Sequence, residues 1–339
     1  MNEWRMNKEW VETVRRETNT LISCEDDFLL MKRAVDELYR VFSAITGVTI
    51  NQLNTESDIM LPSGKAIGMA GAAHCLLELK RTAVFLRGIN KAILSKKKAH
   101  IALPLRVLYA GTGPYGTLIV PLLTLLTPKD IIVDLLEINE KSLTCVQKVI
   151  DCLDLNAYIG EVYCADATTF SVNHSYDIVI SETMLACLKS EPQVAIMQNL
   201  IPQLSSGAIF IPEEISIDVS LTNPRMEQER LLYFTGEKPP FSRISLGNVF
   251  KVHKNSLDVN QMRKLIGIPE GVEEYPVLRL FTTVRVFENE ILSENDSSIT
   301  LPKTYCDLRT QHIKEIEFWY KQGAKPEIEC RKSVYDVVI

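Results

Sequence analysis

Arg106-Val-Leu-Tyr-Ala-Gly111-Thr-Gly113-Pro-Tyr-Gly116 decides the fold. An apolar strand runs directly into three glycines spaced GxGxxG, and the run TLIVPLLTLL behind them predicts a helix. Glycines in this place let the backbone turn sharply and approach a ligand closely, beside the start of the next helix. A second predicted strand, IIVDLLE, ends in Glu137, about 20 residues past the last glycine. A carboxylate there can accept hydrogen bonds from both hydroxyls of a ribose.

Working outward, the texture stays the same. Short β-rich runs, YIGEVYCAD, YDIVIS, AIFIPEE and ISIDVSL, alternate with helical segments, the pattern of a mostly parallel sheet with helices on both faces and hence of an α/β domain. The third strand leads into Cys164-Ala-Asp166, which puts a carboxylate beside an adenine amino group; Asp166-Ala-Thr-Thr-Phe also suits a helix N-cap. Glycine turn and acid together admit a dinucleotide or S-adenosylmethionine. With the strand-end Asp166, YDIVIS and LIPQLSSGAIFIP added, the order resembles the class I S-adenosylmethionine-dependent methyltransferases. In the last stretch Gly207 occupies the turn before the sixth and seventh strands. That resemblance implies a doubly wound, Rossmann-like core that binds S-adenosylmethionine and needs no metal. Gly111, Gly113 and Gly116 would accommodate the methionine and ribose portion, Glu137 the ribose and Asp166 the adenine.

Ser181-Glu182-Thr-Met184-Leu-Ala-Cys-Leu-Lys-Ser-Glu191 follows the fourth strand. It resembles, without a gap, the double-glutamate loop of protein arginine methyltransferases. The physical logic is that a guanidinium presents five N–H donors in a flat fork, so two carboxylates can fix its orientation. Two carboxylates this close repel unless a cation lies between them. The resemblance therefore assigns Glu182 and Glu191 to catalysis and Met184 to substrate binding. Upstream, Glu78-Leu-Lys-Arg81-Thr82-Ala-Val-Phe85-Leu-Arg-Gly88-Ile89 resembles an element of the same family, whose arginine binds the cofactor carboxylate. Arg81 takes that role by resemblance, with Arg87 as the alternative.

The departures bear on the substrate. Thr183 stands where the family has an aromatic and Leu185 where it has glycine, and Thr310-Gln311-His312 is no substitute for a Thr-His-Trp motif. The family's entry helix is replaced by SGKAIGMAGAAH, whose Lys65 and His74 either line the site or pack. These differences resemble bacterial enzymes that methylate free arginine, which makes the expected substrate a small molecule, arginine. The family resemblance also brings with it a homodimer, for which no dimerisation arm is legible.

The rest of the 339 residues frames this core. Helical spacing predicts two helices between Glu3 and about Ile45 and a third from Met69 to Lys97, with Lys96, Lys97 and Lys98 as its solvated end. Past Leu221, VLRLFTTVRVF, Ile299 to Leu301 and IKEIEFWY read as strands. The expected organisation is a helical N-terminal cap (1–100), a methyltransferase core (101–221) and a β-rich C-terminal substrate or oligomerisation region (222–339). A net charge of −6 without a basic stripe argues against nucleic acid as a partner. The longest apolar run, Leu118 to Leu126, is too short for a membrane span and contains Pro121. No secretory pattern opens the sequence, so the cytoplasm is the expected compartment. Eight scattered cysteines without a CxxC pair read as reduced thiols. Transfer to another amine or hydroxyl, a noncatalytic scaffold and a dinucleotide-dependent oxidoreductase remain as alternatives.

Overall fold

The computed structural model describes residues 3–52, 58–99, 104–232, 240–259, 262–309 and 313–334. Gly236 to Pro239 and all of Thr310-Gln311-His312 lie outside them. The chain opens with two helices, α1 (Glu3–Ser23) and α2 (Phe28–Thr46). Asp27 caps α2 by accepting the Leu30 N–H, and Gly47, at φ 73°, ends it with its N–H on the Ser43 carbonyl. Met31, Val35, Leu38 and Phe42 recur at helical spacing and are buried. A hairpin, β1 (Ile59–Leu61) and β2 (Gly64–Ala66), precedes α3 (Met69–His74) and α4 (Leu79–Lys98).

The single helix expected from Met69 to Lys97 is therefore broken. A 3-10 turn over Cys75–Leu77 leads into Glu78, whose extended backbone (φ −80°, ψ 92°) starts a new helix. Leu76 and Thr82 help to hold the break through a hydrogen bond of 2.9 Å between the hydroxyl and the carbonyl. The lysines at the end of α4 are not simply solvated: Lys96 is buried and donates to the Gly207 carbonyl, and Lys97 pairs with Asp130.

The central sheet contains β3 (Leu105–Ala110), β4 (Ile131–Glu137), β5 (Ile159–Cys164), β6 (Ile178–Ser181) and β7 (Ile209–Ile211). All are parallel, in the order β5-β4-β3-β6-β7. The chain steps outward from β3 to β5, then returns to β3's other side, so the fold is doubly wound and its switch point lies between β3 and β6. Register aligns the exits: Ala110 pairs with Leu136 and Ser181, and Glu137 with Cys164. Between strands run α5 (Val120–Leu123), α6 (Glu140–Cys152) and α7 (Gln193–Leu200). The helix expected over TLIVPLLTLL shrinks to α5, since the residues before it form turns and Pro121 has no N–H to donate.

After β7 the chain leaves this sheet. ISIDVSL, expected to continue the alternation, lies in β8 (Glu214–Thr222), which pairs antiparallel with β9 (Arg243–His253) and β11 (Val277–Phe287). A short α8 (Pro224–Leu231) separates β8 from β9, while β12 (Glu290–Leu292) and β13 (Lys303–Asp307) both pair with β11. A third sheet joins β10 (Arg263–Gly267), β14 (Ile313–Lys321) and β15 (Glu327–Val334). The strand expected at Ile299 to Leu301 is a 3-10 turn, in which the Ser297 N–H donates to Thr300 Oγ1 and the Thr300 N–H to the Ser297 carbonyl instead of joining a ladder. Buried apolar residues from the N-terminal helices, the central sheet and the C-terminal strands belong to one contiguous cluster. No helix among the described residues is long and apolar enough to cross a membrane.

Candidate active site

The carboxyl ends of β3, β4, β5 and β6 open into a cavity of about 360 Å³, where an open parallel sheet binds its ligands. Gly111 (φ 80°) and Gly113 (φ 59°) line it in the left-handed region. A Cβ on Gly111 would stand 2.7 Å from Thr183 Cγ2, and one on Gly113 would stand 3.2 Å from the Ala72 Cβ. Gly116 has a different place from the one the sequence suggested. It is not among the residues lining the cavity, and a Cβ there would meet Val120 and Val146 at 2.5 and 2.9 Å, so this glycine serves close packing beneath the site.

Glu137, the last residue of β4, is buried at the cavity wall. Its Oε2 accepts the Gly113 N–H and its Oε1 the Asn139 N–H, both at 2.8 Å. Burial pushes its pKa up against these backbone donors. Each oxygen keeps a lone pair for a further donor. Asp166 lines the same cavity, and its Oδ1 accepts the Thr168 N–H at 2.8 Å. It thus caps a turn rather than the helix that the sequence allowed.

Glu182 and Glu191 come together. Both are buried, and both line the cavity with Met184 between them in sequence. Glu182 forms an ion pair with Arg81, and the remaining atoms of that pair, Glu182 Oε1 and Arg81 Nε, are buried without a hydrogen-bond partner. Burial opposes the charge of Arg81, but Cys75, Glu78 and Glu191 outweigh it and push its pKa upward. Arg87 points elsewhere, to Asp26 and Glu290. Burial raises the Glu191 carboxyl to about 7, even though Arg81 and Lys65 pull it down.

Three distant segments hold the loop between the two glutamates. The Cys187 N–H donates to Thr282 Oγ1 of β11 at 2.9 Å, the Ser190 N–H to the Pro326 carbonyl at 2.7 Å, and the Ser190 carbonyl accepts the Lys65 N–H at 2.7 Å. Cys187, Leu188 and Ser190 all have positive φ (58°, 54° and 69°), a conformation that non-glycine residues keep only where their surroundings impose it. Gln193 is fully buried at the start of α7, and its Oε1 accepts both the N–H and the hydroxyl of Thr183. Nothing in the sequence marked this residue, because a glutamine after Glu-Pro reads as an ordinary helix start. Lys65 and His74, which the sequence left undecided, both line the cavity.

No protein-family model matches the sequence, and no curated protein sequence does so. Among solved structures, the chain is similar to the PRMT1 enzyme-prozyme heterotetrameric complex with AdoHcy from Trypanosoma brucei. The TM-score is 0.51 at 12% identity, over 78% of this chain and 93% of that one. Protein arginine methyltransferase 10 of Arabidopsis thaliana, in an open conformation, gives a TM-score of 0.45 at 10% identity, over 74% and 91%. The likeness to the first is one of fold, and that fold is the S-adenosylmethionine-dependent methyltransferase fold with a helical start and a β-rich C-terminal part. The bacterial free-arginine enzymes expected from the sequence are not represented by these two structures.

Proposed function

We propose that the chain is an S-adenosylmethionine-dependent methyltransferase acting on the guanidino group of arginine, free or in a small molecule. The observation that carries this reading is the shared wall: two buried glutamates stand in the same cavity as the glycine turn, Glu137, Asp166 and Arg81.

The residues suit the cofactor. Arg81 keeps a buried, unpartnered Nε that a carboxylate would satisfy, and the cradle at Gly111 and Gly113 has positive φ and would be crowded by a Cβ. Arg81 would hold the methionyl carboxylate, Glu137 the ribose hydroxyls and Asp166 the adenine amino group. When bound, the cofactor supplies a methyl group already activated by its sulfonium. Glu182, through its unpartnered Oε1, and Glu191 would accept guanidinium N–H groups and turn one nitrogen toward that methyl. A guanidinium nitrogen that gained a methyl group would have to shed a proton. Glu191, with its carboxyl near 7, is the matched acceptor at neutral pH.

Incubation with cofactor and arginine, followed by mass spectrometry, should give a product one methyl group heavier. Glu182→Gln and Glu191→Gln should each lower turnover by at least about 100-fold while calorimetry still shows S-adenosylhomocysteine binding. Full activity of both variants would remove the guanidinium assignment, and failure to bind the cofactor would favour the scaffold reading.

A further inference from the structure

The hairpin β1–β2 carries an ion pair that the proposed chemistry does not use. Lys65 Nζ lies 2.8 Å from Asp58 Oδ2, and the two side chains keep 28% and 40% of their exposure. Asp58 is fixed through its other oxygen, which accepts the Gly68 N–H at 2.9 Å. Lys65 lines the cavity, and its own N–H is bonded to the Ser190 carbonyl, one residue from Glu191. Its neighbour Gly64 is pressed so closely on the same loop that a Cβ there would lie 3.0 Å from the Glu191 carbonyl carbon. Both charges of the pair are felt at the Glu191 carboxyl, Lys65 lowering its pKa and Asp58 raising it. A positive group on the cavity wall and its negative partner thus both act on the second glutamate.

A partly exposed ion pair contributes little to stability, so exchanging partners costs little. A free α-amino acid presents the complementary arrangement, a carboxylate and an ammonium on one carbon, whereas an arginine within a peptide has neither charge. We propose that Asp58 and Lys65 form the head-group subsite of the acceptor, Lys65 taking the α-carboxylate and Asp58 the α-ammonium of a free amino acid whose guanidinium lies between Glu182 and Glu191. This rests on the guanidinium reading and narrows it to free arginine or a close amino-acid analogue.

The test compares three acceptors with the wild-type enzyme: arginine, agmatine, which lacks the carboxylate, and N-acetyl-arginine methylamide, which lacks both head-group charges. Arginine should show a kcat/KM at least about tenfold above either, since a charge-assisted hydrogen bond is lost with each deletion. Lys65→Met should erase the preference over agmatine, mainly through KM, and Asp58→Asn should erase part of the preference over the capped acceptor. Equal use of all three by the wild type, or an equal loss on arginine and agmatine in Lys65→Met, overturns the subsite and leaves the guanidinium reading standing. Methylation of none of them overturns both.

Discussion

At Glu191 a single carboxyl links pH to both stability and binding. Its folded-state pKa is raised from 4.5 to about 7. Between those values the folded chain holds a proton that the unfolded chain releases, so stability falls as pH rises across the window and the full cost is present above it. The cost is on the order of 3 kcal/mol. Denaturant unfolding at pH 5 and at pH 7.5 should show this loss, and Glu191→Gln should flatten it. An unchanged slope in the variant would assign the effect to another group. A guanidinium between the glutamates favours the ionised form, so acceptor affinity should rise with pH up to about 7 and then level off. Arg81 makes a separate prediction. Arg81→Met should weaken S-adenosylhomocysteine binding by about tenfold or more, yet change binding of 5′-methylthioadenosine, which has no carboxylate, much less. Parallel losses in calorimetry would mean that Arg81 acts only through Glu182.

Among the elements, the glutamate loop and the β1–β2 hairpin depend on one another. Gly64, at φ 143°, sits where a Cβ would lie 2.9 to 3.0 Å from backbone atoms of Ser190, Glu191 and Pro192. Gly64→Ala must shift that backbone. It should destabilise by about 1–3 kcal/mol and reduce methyl transfer more than cofactor binding, measured by thermal melting, turnover and calorimetry on the same preparation. Wild-type turnover in the variant would show that the hairpin is not what places Glu191. The sequence showed the parallel strands, β8, β11, β14, the glycine turn, Glu137 and the glutamate pair because each is a local pattern of period, turn chemistry or spacing. It did not show the break before Glu78 or the 3-10 turn at Ser298, since apolar spacing runs through both and only the local hydrogen bonds of Thr82 and Thr300 decide them. Gln193 and the Asp58–Lys65 pair were hidden for another reason. Their meaning comes from the side chain each meets in the folded loop, Thr183 for Gln193 and one another for Asp58 and Lys65, and periodicity carries no information about that.

For the whole molecule, the division at 1–100, 101–221 and 222–339 is a proposal about composition rather than independence. Apolar residues from every part share one buried cluster, and Gly88 of α4 lies so near Val286 of β11 that a Cβ would come within 2.5 Å. The three tryptophans are Trp4 and Trp10 of α1 and Trp319 of β14. Their fluorescence thus reports the two ends of the chain, while far-UV circular dichroism reports the whole. Both should follow one transition in denaturant. Separate midpoints would show that the regions unfold on their own. The same continuity explains why the surplus beyond the parallel sheet matters, for the C-terminal strands supply Thr282 and the neighbourhood of Pro326 to the loop of Glu191.

Ser190 gives that arrangement a direction in time. Its carbonyl is taken by Lys65 and its N–H by Pro326, so the backbone beside the second glutamate is clamped by segments far apart in sequence. A ribosome delivers the first of these long before the other. The backbone beside Glu191 therefore has its full set of partners only after residue 326 has emerged. A chain lacking β14 and β15 would thus lack the Pro326 clamp, and the loop of Glu191 would keep only the bonds to Lys65 and Thr282 among these three.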